Sequence, residues 1–288
     1  MQWNTICGNT GVIDTGFLLI PAYRPSAREL ILIDSGSGPM TEFFDALEAE
    51  GVRISAVLCT HCHPDHIANN RELLRRFDAE IYASAEELPM IRPWFDRLRD
   101  SPSEQQWLYT EPDYPITPID PARPALAAGG AVFGVIPTPG HTRGHLSFVT
   151  PDGVCCLGDA LLSEDVLQNS RLPYMDDCVD RAITSMLSLR EGHFPYYVAV
   201  HREVIPAERI AAAVDANIGR ELEIYARLRE MAAGPVEPEQ LVTELLISAG
   251  VRPYKLERES SRHSARVRGR AMLDAGGFHM EDGRIAPD

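Results

Sequence analysis

The stretch CTHCHPDHIANN, Cys59 to Asn70, carries three histidines, two cysteines and an aspartate within its first eight residues. It admits two readings. Cys59 and Cys62 form half of a thiolate zinc knuckle, or the histidines and the aspartate are ligands and the cysteines are bystanders. The first implies a structural metal, the second a catalytic one. No second C-x-x-C exists elsewhere in the chain to complete a knuckle, so the second reading stands. Cys59 then ends a buried strand, and Cys62 is a spacer expected to point away from the metal.

Outward from this stretch, ISAVLCT before it has the length and apolar character of a buried strand, and HIANNRELLRRF continues from it as a helix. Further upstream, GVIDTGFLLI and ELILIDSGSG read as strands, and residues 39–51 as a short helix with Phe43, Phe44 and Leu47 inward. Downstream, AEIYAS, AVFGVIPT, LSFVT, GVCCLGD and YYVAV read as strands, with a helix over 180–192. Strands alternating with helices predict an α/β fold. Residues 86–127 break the rhythm with many prolines and the aromatics Trp94, Phe95, Trp107, Tyr109 and Tyr114. Two readings are open for that segment: a lid or binding loop, or a helical insertion whose aromatics pack on the core.

Beyond Pro206 the character changes. Ile210, Val214, Ile218, Leu222, Tyr225, Leu228 and Met231 recur at helical spacing, which marks one apolar face. A second helix is predicted near 238–249 and a third near 257–275. The tail FHMEDGRIA has a hairpin turn signal at Asp282-Gly283. The domain reading is therefore 1–205 as a catalytic domain, with 86–127 inserted, and 206–288 as a C-terminal helical region.

The chain has 288 residues and a composition ordinary for a soluble globular protein, which argues against disordered and fibrous classes. A formal charge of −15 disfavours nucleic acid and anionic membrane as general partners. No run is apolar and long enough to span a bilayer, and the N-terminus lacks the basic segment and cleavage site of a secretory signal. Six cysteines in a chain this long do not make a disulfide framework, so reduced thiols and a cytoplasmic location are expected.

Candidate ligands recur directly after predicted strands. His61, His63, Asp65 and His66 follow ISAVLCT, His141 in TPGHTRGH follows AVFGVIP, Asp159 follows GVCCLG, and His201 follows YYVAV. Imidazole and carboxylate suit zinc, iron or manganese, and seven such groups exceed one tetrahedral ion. Two metals sharing a bridging carboxylate fit the count.

Here the sequence resembles the metallo-β-lactamase-fold hydrolases. Their H-x-H-x-D-H motif stands here as His61-Cys62-His63-Pro64-Asp65-His66, and TPGHT at His141, GD at Asp159, the late His201 and LIDSG at Asp34 match the family's other motifs. The resemblance covers residues 8–205. It implies an αββα sandwich of two mixed sheets flanked by helices, with a C-terminal helical appendage, winged-helix-like in outline. It further implies that His61, His63 and His141 hold a first metal, and that Asp65, His66 and His201 hold a second. Asp159 would bridge the two and Asp34 would orient histidines from behind. His201 departs from the family pattern, because AVHREV lacks the Pro before and Gly after that usually flank this ligand. His145, four residues after His141, is either a hydrogen-bond partner beside the site or a structural residue.

Two adjacent divalent ions, zinc first and iron or manganese next, would supply hydroxide by lowering the pKa of a bridging water from about 15.7 to near 7. That hydroxide would attack an electrophilic carbonyl or phosphorus, with Asp65 moving the proton. Asp159 points away from true β-lactamases, which lack an acidic ligand there, and toward the glyoxalase-II-like branch, whose members cleave thioesters, lactones or phosphodiesters. GDALLSEDVLQNSRLPYMDD also resembles that branch and makes Arg171 a candidate for holding a substrate carboxylate and Tyr174 for assisting an oxyanion.

The expectation is hydrolysis of a small thioester or lactone. Its partners are a small-molecule substrate and, for assembly, a second copy of the chain. Two alternatives accompany it. A stripe of Arg258, Arg262, Arg266 and Arg270 could contact RNA phosphates in a phosphodiesterase, although a solvated face pairing with Glu257, Glu259 and other acids is favoured, and deep burial of so charged a segment is not expected. A mononuclear iron persulfide dioxygenase would use an incomplete ligand set, and the set here is complete.

Overall fold

The computed structural model describes residues 2–100, 112–169 and 172–288. Trp107, Tyr109 and Arg171 lie outside the described residues. The chain divides into two compact units, one of residues 1–138, 144–159 and 193–208, the other of 139–143, 160–192 and 209–288.

The first unit holds both large sheets. The first sheet runs in sequence order through β1 (Gln2–Cys7), β2 (Thr10–Asp14), β3 (Leu19–Ser26), β4 (Glu29–Ile33), β5 (Arg53–Leu58), β6 (Glu80–Ser84) and β7 (Thr117–Ile119). Its early strands are antiparallel, and β4 through β7 are parallel. The second sheet contains β8 (Ala125–Ala128), β9 (Ala131–Pro137), β10 (Leu146–Val149), β11 (Cys155–Gly158), β12 (Tyr196–Ala199) and β13 (Glu203–Pro206), with β11 and β12 parallel. Ile31, Ile33, Ala56 and Leu58 of the first sheet pack on Phe133, Val135, Leu146, Phe148 and Cys156 of the second. Large apolar side chains buried in this way contribute about 1.5–3 kcal/mol each, so the seam between the sheets contributes to the stability of this unit.

Helices of this unit are α1 (Thr41–Ala49), α2 (Pro64–Ile67), α3 (Asn70–Phe77) and α4 (Leu88–Asp100). Two sequence readings need correction here. GVIDTGFLLI is not one strand, because the Thr15 hydroxyl accepts the Leu18 N–H at 2.9 Å and donates to the Leu18 carbonyl at 3.0 Å, turning β2 back into β3. The helix read from His66 onward is split at Asn69, whose amide donates to the carbonyls of Ser35 at 2.9 Å and Gly38 at 3.0 Å. Of the 86–127 segment, α4, β7 and β8 are regular elements, and β7 and β8 join the two sheets.

The second unit contains α5 (Glu164–Asn169), α6 (Val179–Arg190), α7 (Ile210–Met231), α8 (Pro238–Ser248) and α9 (Glu259–Asp274), then a hairpin of β14 (Phe278–Glu281) and β15 (Arg284–Pro287). The hairpin turns where the sequence indicates, with positive φ at Asp282 (48°) and Gly283 (80°), the backbone that a two-residue turn of this hand requires. Leu228, Leu241, Leu245, Leu246, Ala265 and Ile285 belong to its core. Val236 and Ile285 exchange backbone hydrogen bonds at 2.9 Å in both directions. The expectation that this region avoids deep burial is overturned: α9 buries Ser264, Ala265, Arg268 and Met272. The charge is accommodated because Arg268 meets Glu221 of α7, at 2.9 Å through Nε and 2.6 Å through Nη2.

Mixed α/β layers with two mixed sheets, flanking helices and C-terminal helices are thus the observed architecture. Among the described residues no helix is long and apolar enough to cross a membrane.

Candidate metal centre

Parallel strands lead their C-terminal ends to one edge of a sheet, and loops there converge. Asp34 follows β4, His61 follows β5, Asp159 follows β11 and His201 follows β12. Ligand atoms of His61, His66 and Asp159 lie within 4.8 Å of one another, as do those of Asp65, His66 and His201. His63 joins them through its Nδ1, 2.9 Å from His61 Nε2. Neither group includes a cysteine, and all six cysteines are free thiols. Burial pushes the thiols of Cys59, Cys155 and Cys156 up, which keeps them protonated.

Hydrogen bonds decide which ring nitrogen each histidine presents. The Asp34 carboxylate accepts from Thr60 N at 2.7 Å, from Thr60 Oγ1 at 2.8 Å and from His66 Nδ1 at 2.8 Å. Thr60 has spent its single proton on Asp34, so at 3.0 Å its oxygen must accept from His61 Nδ1. His61 and His66 therefore both turn Nε2 toward the cluster. His141 belongs to the second unit. Its Nδ1 can only donate to the Tyr174 carbonyl, 3.0 Å away, so Nε2 is the nitrogen it can offer a ligand. Asp34 itself has φ +65°, a left-handed backbone uncommon for any residue but glycine, and such strain collects at functional sites.

The donor set fits a divalent metal. His66 Nε2 is buried and makes no hydrogen bond among the described residues. It stands 3.5 Å from Asp159 Oδ2 and 3.9 Å from Asp65 Oδ2, while His201 Nε2 is 3.4 Å from Asp159 Oδ2. Those separations are long for hydrogen bonds, and the two shorter ones match the about 3.3–3.5 Å between atoms bound at about 2.0–2.2 Å to one tetrahedral ion. The cluster's electrostatics agree. Burial alone would lower the pKa of His66, yet Asp159, Asp34 and Asp65 hold it well above the imidazole value. Burial alone would raise Asp159, yet the His201 and His66 rings hold it well below the carboxylate range. The buried anions thus call for positive charge, which a cation would supply.

His145 is a hydrogen-bond partner with a fixed tautomer. Its Nε2 accepts the Asp159 backbone N–H at 3.1 Å, so its Nδ1 donates to Thr138 Oγ1 at 2.8 Å. Thr138 then donates to Ser147 Oγ at 3.0 Å, and Ser147 to the Leu157 carbonyl at 3.3 Å. Gly158 (φ +55°) makes this approach possible, since a Cβ there would stand 2.7 Å from both His145 Nε2 and Thr60 Oγ1.

Tyr174 lies in the second unit with its ring 5.8 Å from that of His141 and its hydroxyl 3.4 Å from Asp176 Oδ1. After His201, where the family pattern has glycine, Arg202 takes a left-handed φ of +73° and its guanidinium reaches the Gly16 carbonyl at 2.5 Å. Sequence reasoning missed Glu87. Its buried carboxylate accepts Cys62 N–H at 2.8 Å and Gly144 N–H at 2.7 Å, tying the two histidine-rich loops together. The available signal was its place in the loop after β6, at the same kind of strand end as the ligands.

Fold and donor set together define a metal-binding α/β sandwich. The sequence model of the metallo-beta-lactamase superfamily matches residues 23–202, and the chain belongs to that superfamily. It is 30% identical over 161 residues to a probable metallo-hydrolase, YflN, of Bacillus subtilis (strain 168), covering 51% of this chain and 60% of that protein. It is 32% identical over 119 residues to a hydroxyacylglutathione hydrolase of Acidiphilium cryptum (strain JF-5), covering 41% of this chain and 40% of that one. The chain thus spans about half the length of these curated relatives. A solved metallo-beta-lactamase family protein from Thermus thermophilus shares the fold with a TM-score of 0.70 at 18% identity, over 94% of each chain.

Proposed function

We propose that the chain is a cytoplasmic, binuclear metal-dependent hydrolase of small ester-type substrates, thioesters or lactones. His61, His63 and His141 would hold one ion, Asp65, His66 and His201 the other, and Asp159 would bridge them. The observation that carries this reading is the shared anchoring of His61, His66 and His141, each donating from Nδ1 and so presenting Nε2 as the nitrogen for an ion. Zinc is the first choice of metal, with iron or manganese next. When bound, the ions would supply a hydroxide nucleophile at neutral pH and stabilise the developing oxyanion.

The chain's own residues do the rest. Asp34 fixes Thr60 and His66, and His145 fixes the backbone of Asp159. Asp65, half-buried beside His66, would carry the proton through Oδ2. Trp94 meets the His63 ring edge-on at 5.0 Å and Phe17 meets His201 at 6.1 Å, so apolar surface borders the ligands, as an acyl group would use. The names of the metallo-hydrolase and hydroxyacylglutathione hydrolase relatives support hydrolysis of an acyl compound. The order α7, Val236 bridge, α8, α9 and hairpin supports a winged-helix-like appendage. Nucleic acid is disfavoured as its partner, because Arg262 and Arg266 are engaged by Glu239.

The test is metal analysis of the purified protein followed by a thioester and lactone panel. Close to two metal ions per chain and hydrolysis are expected, with Asp159→Ala losing metal and at least about a hundredfold in rate. One iron per chain with oxygen uptake on glutathione persulfide would replace this reading with the dioxygenase.

A further inference from the structure

The second unit contains a chain of hydrogen bonds that runs from the interior of its helices to His141. Arg268 of α9, fully buried, is held by the Glu221 carboxylate through Nε and Nη2 and gives its Nη1 to Ser264 Oγ at 2.7 Å. Ser264 is itself buried, and its hydroxyl is used to capacity. It accepts the Arg268 proton, accepts the Met175 N–H at 3.0 Å, and donates its own proton to the Pro173 carbonyl at 3.3 Å.

The Met175 N–H and the Tyr174 carbonyl are two ends of one peptide group. A trans peptide is planar and sends its N–H and C=O in opposite directions, so fixing one end fixes the other. Here the N–H end goes to Ser264 and the oxygen end takes the His141 Nδ1 proton at 3.0 Å. A second clasp lies one residue further on. His263 Nε2 is 3.0 Å from both the carbonyl and Oδ1 of Asp176, and Asp176 N–H donates to the His141 carbonyl at 2.8 Å.

We infer that α9 is a positioning element for His141, with Ser264 acting through the Tyr174–Met175 peptide to set the tautomer and direction of the ring. This rests on the reading of His141 as a metal ligand. A ligating imidazole needs its other nitrogen anchored, and loss of such an anchor costs about 10–100-fold in metal affinity. Here the anchor is a backbone carbonyl, which a side-chain search of the site would pass over, and its own support comes from a helix about 90 residues later in sequence. Residues 259–274, outside the ligand motifs, would then bear on metal binding without touching the metal.

The experiment compares Ser264→Ala, His141→Ala and the parent, each full-length and zinc-loaded, by competition with a chromophoric chelator. Proton–nitrogen NMR of the histidine rings supplies a second readout. Ser264→Ala is expected to bind one of its metal ions about 10–100-fold more weakly, with the His141 Nδ1 proton signal shifted or lost to exchange and the other ring signals in place. Parent-like affinity and an unshifted Nδ1 signal in Ser264→Ala would overturn the positioning role, provided His141→Ala has lost an ion. Full metal retention by His141→Ala would instead overturn the ligand reading itself. Should Ser264→Ala fail to fold, the parent decides alone. Slow exchange of both Met175 N–H and His141 Nδ1–H supports the relay, and fast exchange of Met175 N–H refutes it.

Discussion

At the strand ends of the first unit, Asp34, His61, His66 and Asp159 are buried, and His66 turns its Nε2 toward the carboxylates of Asp159 and Asp65. Within the second unit, Glu221, Arg268 and Ser264 are buried just as deeply between α7 and α9. The two clusters differ in completeness. Arg268 spends three of its donor groups on Glu221 and Ser264 at 2.6–2.9 Å. His66 Nε2, in contrast, faces two carboxylates at 3.5 and 3.9 Å and makes no hydrogen bond among the described residues. Burying charge is tolerable when the partners are present, and the second cluster carries its own. The first is organised for a cation from outside. Burial of ionisable groups therefore does not by itself mark a functional site; unfinished coordination does.

Breaking the closed cluster should have the largest effect on stability. Arg268→Ala leaves Glu221 charged and buried, and is expected to cost about 3–5 kcal/mol, read as a lower midpoint in denaturant followed by circular dichroism. Replacing both partners together, Arg268→Met with Glu221→Leu, should recover most of that loss, because an apolar pair of similar volume removes both desolvation costs. A double variant as unstable as the single one would show that the pair does more than neutralise itself.

The open cluster should respond differently. Asp34→Asn keeps the shape of the group that receives Thr60 and His66 but removes its charge, and so weakens the hold on His66 Nδ1. Metal affinity is expected to fall about 10–100-fold, or roughly 1.4–2.7 kcal/mol, in a chelator competition. The thermal midpoint without metal should move less than the midpoint with saturating zinc, since a ligand stabilises only the form that binds it. Equal shifts in both states would make Asp34 structural and would erase the contrast between the clusters.

The sequence makes one of these clusters legible and hides the other, for a physical reason. His61, His63, Asp65 and His66 sit within six residues, and the remaining candidates stand at strand ends, so motif and topology agree. Arg268 and Glu221 are 47 residues apart on two helices, and neither belongs to a motif. Arg268 also falls off the four-residue register of Arg258, Arg262, Arg266 and Arg270, which is why the charge of α9 suggested exposure throughout. The terminal hairpin was readable because Asp282-Gly283 supplies the positive φ a tight turn needs. The split at Asn69 was not, since its amide reaches carbonyls more than 30 residues back. Arg202 shows the limit from the other side. Its left-handed backbone is the one that glycine usually provides, and a contact with Gly16 from a distant turn supports it instead.

The arginine stripe sharpens the comparison at its weakest end. Arg262 and Arg266 converge on Glu239 of α8, with Glu259 also taking Arg266, and both of these carboxylates are largely exposed. The hydrogen bonds from Arg266 and Arg262 lower the Glu239 pKa to about 2, below its ordinary 4.5. A depressed carboxyl stabilises the fold fully above its unfolded pKa and loses that contribution as pH falls toward the folded value, so the window here is about pH 4.5 to 2. Solvent screening keeps the contribution small, at most about 1 kcal/mol. Glu239→Gln should therefore lower stability by that amount at pH 7, and by almost nothing at about pH 2 or in about 1 M salt, where the screening length is only about 3 Å. If the loss persisted in high salt, the three side chains would behave like the buried Arg268 cluster. If the substitution instead gave the protein salt-sensitive retention on RNA, the arginines would be phosphate contacts that Glu239 holds in check.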